Sequence, residues 1–341
     1  MKPSCRIVSS DYLDRDVYLN IRGFYEAAGF QLLEASGDPD LLVVLRGDNG
    51  TADQDFTGPI HLYDYVREYQ VDWARRYPLA SSIGVISLAE PPQAPTDPRL
   101  LHVRAYLPVI PELWTCPSPT RRGGPVHVSN YKRMPGDPFQ EQLLALIRSG
   151  RVKVHGGRWD LVGVRARPLS YRQANRLIAA SASCFGLMWP YQRGTTLSGR
   201  MWQAPLNGCF VVSEPGTDLL GCPGVIERPQ FDAATASLPF PPERCAALAQ
   251  EAATFWRRHT AAIASALDLN LQLEPGGASI RRLRRQLLVW DLEFRLQQLQ
   301  EQLAAWLSPP LVALRRLLTR LARALGVHPR QIRDRRRGPH Q

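Results

Sequence analysis

The sequence predicts an α/β fold, with two doubly wound, Rossmann-like domains and a C-terminal basic helical tail. Three observations carry this. Short apolar runs of the kind buried in parallel sheets alternate with helical stretches through Phe240. A break at residues 108–125, with five prolines and a Gly-Gly pair, splits that alternation into two halves. Beyond Gly277 the pattern changes to leucines at three- and four-residue steps among arginines.

In the first half, residues 5–9 are a short strand, followed by an acid-rich loop at 10–16. A helix over 18–28 stops at Gly29, which suits the left-handed position after a helix. Strands follow at 30–35, 41–45, 60–63 and 83–88, with a helix expected over 64–76. Residues 101–103 lead out of the domain. Acids and a histidine stand at or near the carboxyl ends of these strands, namely Asp11, Asp48, Asp64 and His61. An acceptor-activating base would be sought among them, with Asp11 preferred.

The second half opens with a strand at 126–129, and Lys132 and Arg133 lie just past its carboxyl end. Asp137 and Pro138 are a cap and first-turn pair for a helix running to Arg148. A strand at 152–155 ends in Gly156-Gly157, and Ser170 caps a helix over 171–180. Next comes the central stretch, C-F-G-L-M-W-P-Y-Q-R-G-T-T-L-S-G-R-M-W-Q-A-P-L-N-G-C-F-V-V-S-E. It reads as strand, polar loop, helix over 199–206 with Ser198 as cap, and strand over 209–213. A helix start just beyond the carboxyl end of a strand faces the crevice where open α/β sheets bind ligands, and its free N–H groups suit an anion. Arg193 and Arg200 stand at that mouth, and Tyr191 and Trp202 are aromatic neighbours. Residues 225–227 complete the alternation, and a long helix over 242–267 follows.

The central stretch resembles the donor segment of GT-B glycosyltransferases of the group 1-like kind. Their pattern S-x-R-x-(aromatic)-E-A-x-x-x-G stands here as Ser198, Arg200, Trp202, Gln203, Ala204 and Gly208. Gln203 takes the place of the acid that holds the donor ribose in that family. The resemblance implies an N-terminal acceptor-side domain (1–110), a linker (111–125) and a C-terminal nucleotide-sugar domain (126–240). A crossing helix and linker (241–275) and the tail (276–341) follow. It also implies a hexosyltransferase-like enzyme that moves a sugar from a nucleotide-diphosphate sugar to a glycan, lipid or protein, with no metal or cofactor. Donor contacts would come from Lys132, Arg133, Arg193, Thr196, Ser198, Gly199, Arg200 and Gln203. The runner-up is a catalytically degenerate scaffold of the same fold, whose tail does the work.

Net charge is +11, and fourteen arginines against four acids in 276–341 account for nearly all of it. The remaining 275 residues are almost neutral in sum. A basic amphipathic tail can pack on its own body, pair with another chain or lie on an anionic membrane surface. It has no nucleic-acid reading motif, so nucleic acid ranks last among its partners. Pro309-Pro310 is expected to interrupt it. The six cysteines show no zinc or redox spacing and read as reduced core thiols. There is no signal-like apolar core after Lys2 and no 18-residue apolar run, so the expectation is a cytoplasmic protein, free or peripheral on the membrane face. Serine-hydrolase, P-loop and zinc-protease motifs are absent, as is a D-x-D motif after an apolar strand.

Overall fold

The computed structural model describes residues 2–9, 15–33, 37–45, 53–64, 72–88, 96–116, 123–272 and 277–324, with side chains as far as 304. The chain divides into two units, Met1–Leu287 and Leu288–Gln341. Two parallel sheets lie in the first.

The first sheet uses β1 (Ser4–Ser9), β2 (Gln31–Leu32), β3 (Leu41–Leu45), β4 (Pro59–Tyr63), β5 (Ser82–Ser87) and β6 (Leu100–Arg104), in the order β2-β1-β3-β4-β5-β6. Every pairing is parallel. All five residues of β3 are buried, as expected for a central strand covered on both faces. α1 (Arg15–Ala27) lies between β1 and β2 and buries Leu19, Ile21, Phe24 and Tyr25. It starts three residues earlier than the apolar pattern suggests, so Asp16 falls in its first turn. α2 is the four residues Trp73–Arg76, capped by Asp72. The rest of the helix expected over 64–76 falls largely outside the described residues, as do Asp11 and Asp48.

The break between the sheets begins as a packed segment. Val109 and Ile110 are buried, and α3 (Pro111–Trp114) starts on its proline. The Trp114 indole and the Ile110 amide both donate to Asn20 Oδ1 at 2.9 Å. Proline spacing alone does not show this, because proline is as compatible with a first helical turn as with a loop.

The second sheet uses β7 (Val126–Val128), β8 (Lys153–His155), β9 (Ser183–Phe185), β10 (Phe210–Ser213) and β11 (Val225–Glu227), in the order β11-β10-β9-β7-β8. All pairings are again parallel. The order reverses between β7 and β9, the point where such sheets open a crevice. α4 (Pro138–Arg148) carries the expected Asp137 cap, which accepts from the Gln140 amide at 2.9 Å. α5 (Tyr171–Ala179) has a complete capping box between Ser170 and Gln173. α6 is Arg200–Leu206, and α7 is the single turn Ala233–Ala236.

α8 (Pro242–Ala266) joins the two halves. Near its start, Cys245 and Leu248 pack with Phe210 of the second sheet. Near its end, the Thr260 hydroxyl accepts from the Val109 amide at 3.0 Å and donates to the Val109 carbonyl at 2.8 Å. α9 (Ala278–Ala324) contributes its first turns to the same unit, where Ile280, Leu283 and Leu287 are buried. Arg284 donates to the Glu112 carbonyl there, Nε at 3.1 Å. In the second unit the rest of α9 exposes Leu292, Leu296, Leu299 and Leu303. The helix continues across Pro309-Pro310 rather than ending there, although each proline lacks an amide N–H for the ladder. No helix among the described residues is long and apolar enough to cross a membrane.

Candidate functional site

The crevice at the β7/β9 reversal is a cleft of about 400 Å³. Its floor is formed by Val128 and Ser129 at the end of β7 and by Phe185, Leu187, Met188 and Trp189 at the end of β9. Thr196 to Arg200 form one wall, and Asp16, Val17 and Tyr106 approach from the N-terminal half.

Two cations serve it. Lys132 Nζ donates to the Leu187 carbonyl at 3.2 Å and lies 5.8 Å above the Trp189 ring. Burial lowers its pKa to about 8. Its loop is held by α4, since Gln140 donates to the Lys132 carbonyl and accepts from the Met134 amide at 2.9 Å. Arg200, at the start of α6, sends Nε to the Val128 carbonyl at 2.8 Å, and its Nη1 donates to Gln203 Oε1. Among the described residues, neither Lys132 nor Arg200 makes an ion pair with a carboxylate.

The loop entering α6 supplies neutral donors. Ser198 Oγ accepts from the Arg200 amide at 3.3 Å, and α6 begins one residue later than expected because Gly199 serves as its cap. The backbone N–H groups of Leu197, Ser198 and Gly199 have no partner among the described residues. Residues 197–199 thus bring three successive amides without an acceptor to the edge of the crevice.

Asp16 reaches the same place from α1. Its Oδ2 accepts from Gln203 Nε2 at 3.2 Å, and its Oδ1 accepts from the Tyr171 hydroxyl at 3.4 Å. Gln203, only 2% exposed, thus links Arg200 to a carboxylate from the other half of the unit. Asp16 is the cleft residue that sequence reasoning passes over. The available signal was an acid just past the first strand, but an acid there also reads as a helix first-turn residue.

The remaining sequence candidates fall in different places. Thr196, Ser198 and Gly199 line the cleft, whereas Arg133 is exposed and outside the lining. Arg193 also lies outside it, with Nη2 at 2.6 Å from Asp137 and Nε at 3.0 Å from the fully buried Glu214. Its charge is matched by two carboxylates. Trp202 is a core residue against Trp114, with ring centroids 5.0 Å apart. Tyr191 is 53% exposed at the rim and stacks on Trp189 at 6.0 Å. Asp64 and His61 are both absent from the lining, and His61 is hydrogen-bonded to Tyr25 at 2.8 Å. His127 lines the cleft, but burial lowers its pKa to about 4, and it contacts the Phe185 carbonyl at 2.8 Å through Nδ1.

The fold is similar to that of solved structures. A DNA-modifying β-glucosyltransferase, described with and without its substrate uridine diphosphoglucose, matches over 78% of this chain and 100% of its own. The identity is 10% and the TM-score 0.50. The architecture is the GT-B fold. A T4 phage β-glucosyltransferase structure matches over 79% and 100% of the two chains at 9% identity, TM-score 0.49. A putative UDP-N-acetylglucosamine 2-epimerase from Listeria monocytogenes matches over 80% and 98% at 12% identity, TM-score 0.44. No protein-family model matches the sequence, and no curated protein matches it.

Proposed function

We propose that this protein is a glycosyltransferase that takes a sugar from a nucleotide-diphosphate sugar bound in the cleft after β7 and β9. The observation that carries this reading is the convergence of Lys132, Arg200 and the free amides of Leu197, Ser198 and Gly199 on one cleft. A nucleoside diphosphate leaving group gains negative charge as the glycosidic bond breaks, and fixed donors and cations stabilise it. Here they offset that charge without a metal ion. The β-glucosyltransferase neighbour uses uridine diphosphoglucose, so uridine nucleotides are the first series to test.

Tyr191 offers a face for the base at the rim. Asp16 stands where a carboxylate can take the proton of an acceptor hydroxyl, with Tyr171 and Gln203 orienting it. Gln203 is engaged by Arg200 and Asp16, so in this chain it orders the cleft and the ribose is left to other groups. The test is release of nucleoside diphosphate from a panel of nucleotide sugars in the presence of a chelator. Turnover is expected with one base series, with Asp16→Asn lowering kcat at least a hundred-fold and leaving nucleotide affinity within a few-fold. Turnover that needs an added divalent cation would remove the metal-independent part. Full activity in Asp16→Asn would remove Asp16 as base.

A further inference from the structure

The near-neutral sum over the first 275 residues hides a strongly uneven distribution. Residues 148–176 contain seven arginines and Lys153 against one acid, Asp160. All eight cations are exposed except the half-buried Arg172, and none makes an ion pair among the described residues. Arg148 ends α4, Arg151 and Lys153 lie before and on β8, the edge strand of the second sheet, Arg158, Arg165 and Arg167 on its connection to α5, and Arg172 and Arg176 on α5.

Part of that basic stretch rests on backbone that reaches the cleft, although none of its cations lines the cleft itself. Gly156, after β8, lies so close to the Ser129 carbonyl that an added Cβ would meet it at 2.0 Å, and Ser129 lines the cleft. The Gly157 amide donates to Asn130 Oδ1 at 2.7 Å, and the Gly156 amide donates to the Arg167 carbonyl at 2.9 Å. Arg158 therefore follows, and Arg167 pairs with, backbone that rests on the cleft wall. Arg172 follows Tyr171, itself a lining residue. The positive field also reaches His155, whose pKa is lowered first by burial and then by Arg167 and Lys153.

We propose that this rim holds the phosphodiester backbone of a nucleic acid and leads an acceptor group carried on it into the cleft. The second part rests on the transferase reading, and the first does not. Nucleic acid presents a dense line of negative charge, about one per 1.7 Å of duplex axis, which unpaired cations bind by releasing counterions. A membrane-docking surface adds several apolar side chains to insert. This segment has a single large exposed one, Leu161 at 62%.

The test measures anisotropy of a labelled random-sequence DNA duplex with the full chain across a salt series. A triple charge reversal, Arg151→Glu, Arg165→Glu and Arg167→Glu, is expected to weaken binding at least ten-fold. It should also make the log–log salt slope shallower by about 2.7, at about 0.9 per lost phosphate contact. A matched triple in the tail, Arg315→Glu, Arg316→Glu and Arg320→Glu, should cost less. Unchanged duplex affinity in a folded rim triple would overturn the proposal. So would a loss confined to the tail triple, or binding to phosphatidylglycerol vesicles with none to the duplex. Nucleoside diphosphate stabilisation is read on the same proteins. If the rim triple loses the duplex while none of the three proteins responds to any nucleotide, the rim stands and the transferase reading falls.

Discussion

At the residue scale the cleft rests on a lysine and an arginine, both half-buried, that have no carboxylate partner among the described residues. The Lys132 pKa, about 8 against the usual 10.5, has two consequences of opposite sign. A diphosphate needs the ammonium form, so its affinity should fall as pH rises through 8 toward 9.5, and Lys132→Met should flatten that profile. In the apoprotein, the unfolded chain holds the Lys132 proton between about pH 8 and 10.5 while the folded one releases it, so Lys132 makes stability rise with pH there. Below that window the buried ammonium costs stability, and Lys132→Met should raise Tm at pH 7 while weakening nucleotide binding ten-fold or more, about 1.4 kcal/mol. Calorimetric titration at several pH values, with melting curves alongside, checks both. A variant that loses affinity and stability together would mark Lys132 as an ordinary structural contact. Ser198, Arg200 and Gln203 were legible in the sequence because they form a local pattern within six residues. Arg193 shows the limit of that legibility. Its partners, Asp137 and Glu214, are 56 and 21 residues away, and nothing local signals that they hold it.

At the element scale, two connections fix the cleft walls. Gly156 has φ +143° and no room for a side chain against the Ser129 carbonyl. Gly156→Ala should destabilise by roughly 2–4 kcal/mol, since strain and a backbone collision combine there, and should weaken nucleotide binding by moving Ser129. Asn207, at the end of α6, donates to the Trp114 and Gln203 carbonyls at 3.1 and 2.8 Å and accepts from the Cys116 amide at 2.7 Å. Asn207→Ala removes all three bonds from a buried site and should cost about 2–4 kcal/mol in denaturant unfolding. A loss below about 0.5 kcal/mol would mean that water replaces them. The strands were the readable elements, since continuous apolar runs such as Leu41–Leu45 belong in a parallel sheet. The short helices were less so. α3 and α7 are four residues each; α3 is held by Asn20 and α7 by its Asp232 cap rather than by periodicity.

At the scale of the first unit, the two sheets are tied through α8 and through Asp16, and its burial pattern sets its acid response. Burial lowers His61, His127 and His259 to pKa values of about 4. Between about pH 6.5 and 4 the unfolded chain takes up these protons and the folded one does not, so stability falls as pH falls through that window. Melting temperature should drop steadily from pH 7 to 5, and replacing His259 by Gln should reduce the slope. The two-sheet plan was legible because alternation and a proline-rich break are one-dimensional signals. The basic stretch at 148–176 is also a one-dimensional signal, but its cations cancel in the whole-chain sum against acids elsewhere, so a net-charge reading passes over it. The central claim is a nucleoside diphosphate held by Lys132, Arg200 and the amides of Leu197, Ser198 and Gly199. Thermal stabilisation of the full chain and of Arg200→Ala by a panel of nucleoside diphosphates tests it most directly. One base series should stabilise the parent, by about 2.7 kcal/mol at a hundred-fold excess over Kd, and Arg200→Ala should need at least ten-fold more nucleotide for the same shift. No shift from any nucleotide in a folded sample, or equal shifts in both proteins, would contradict it.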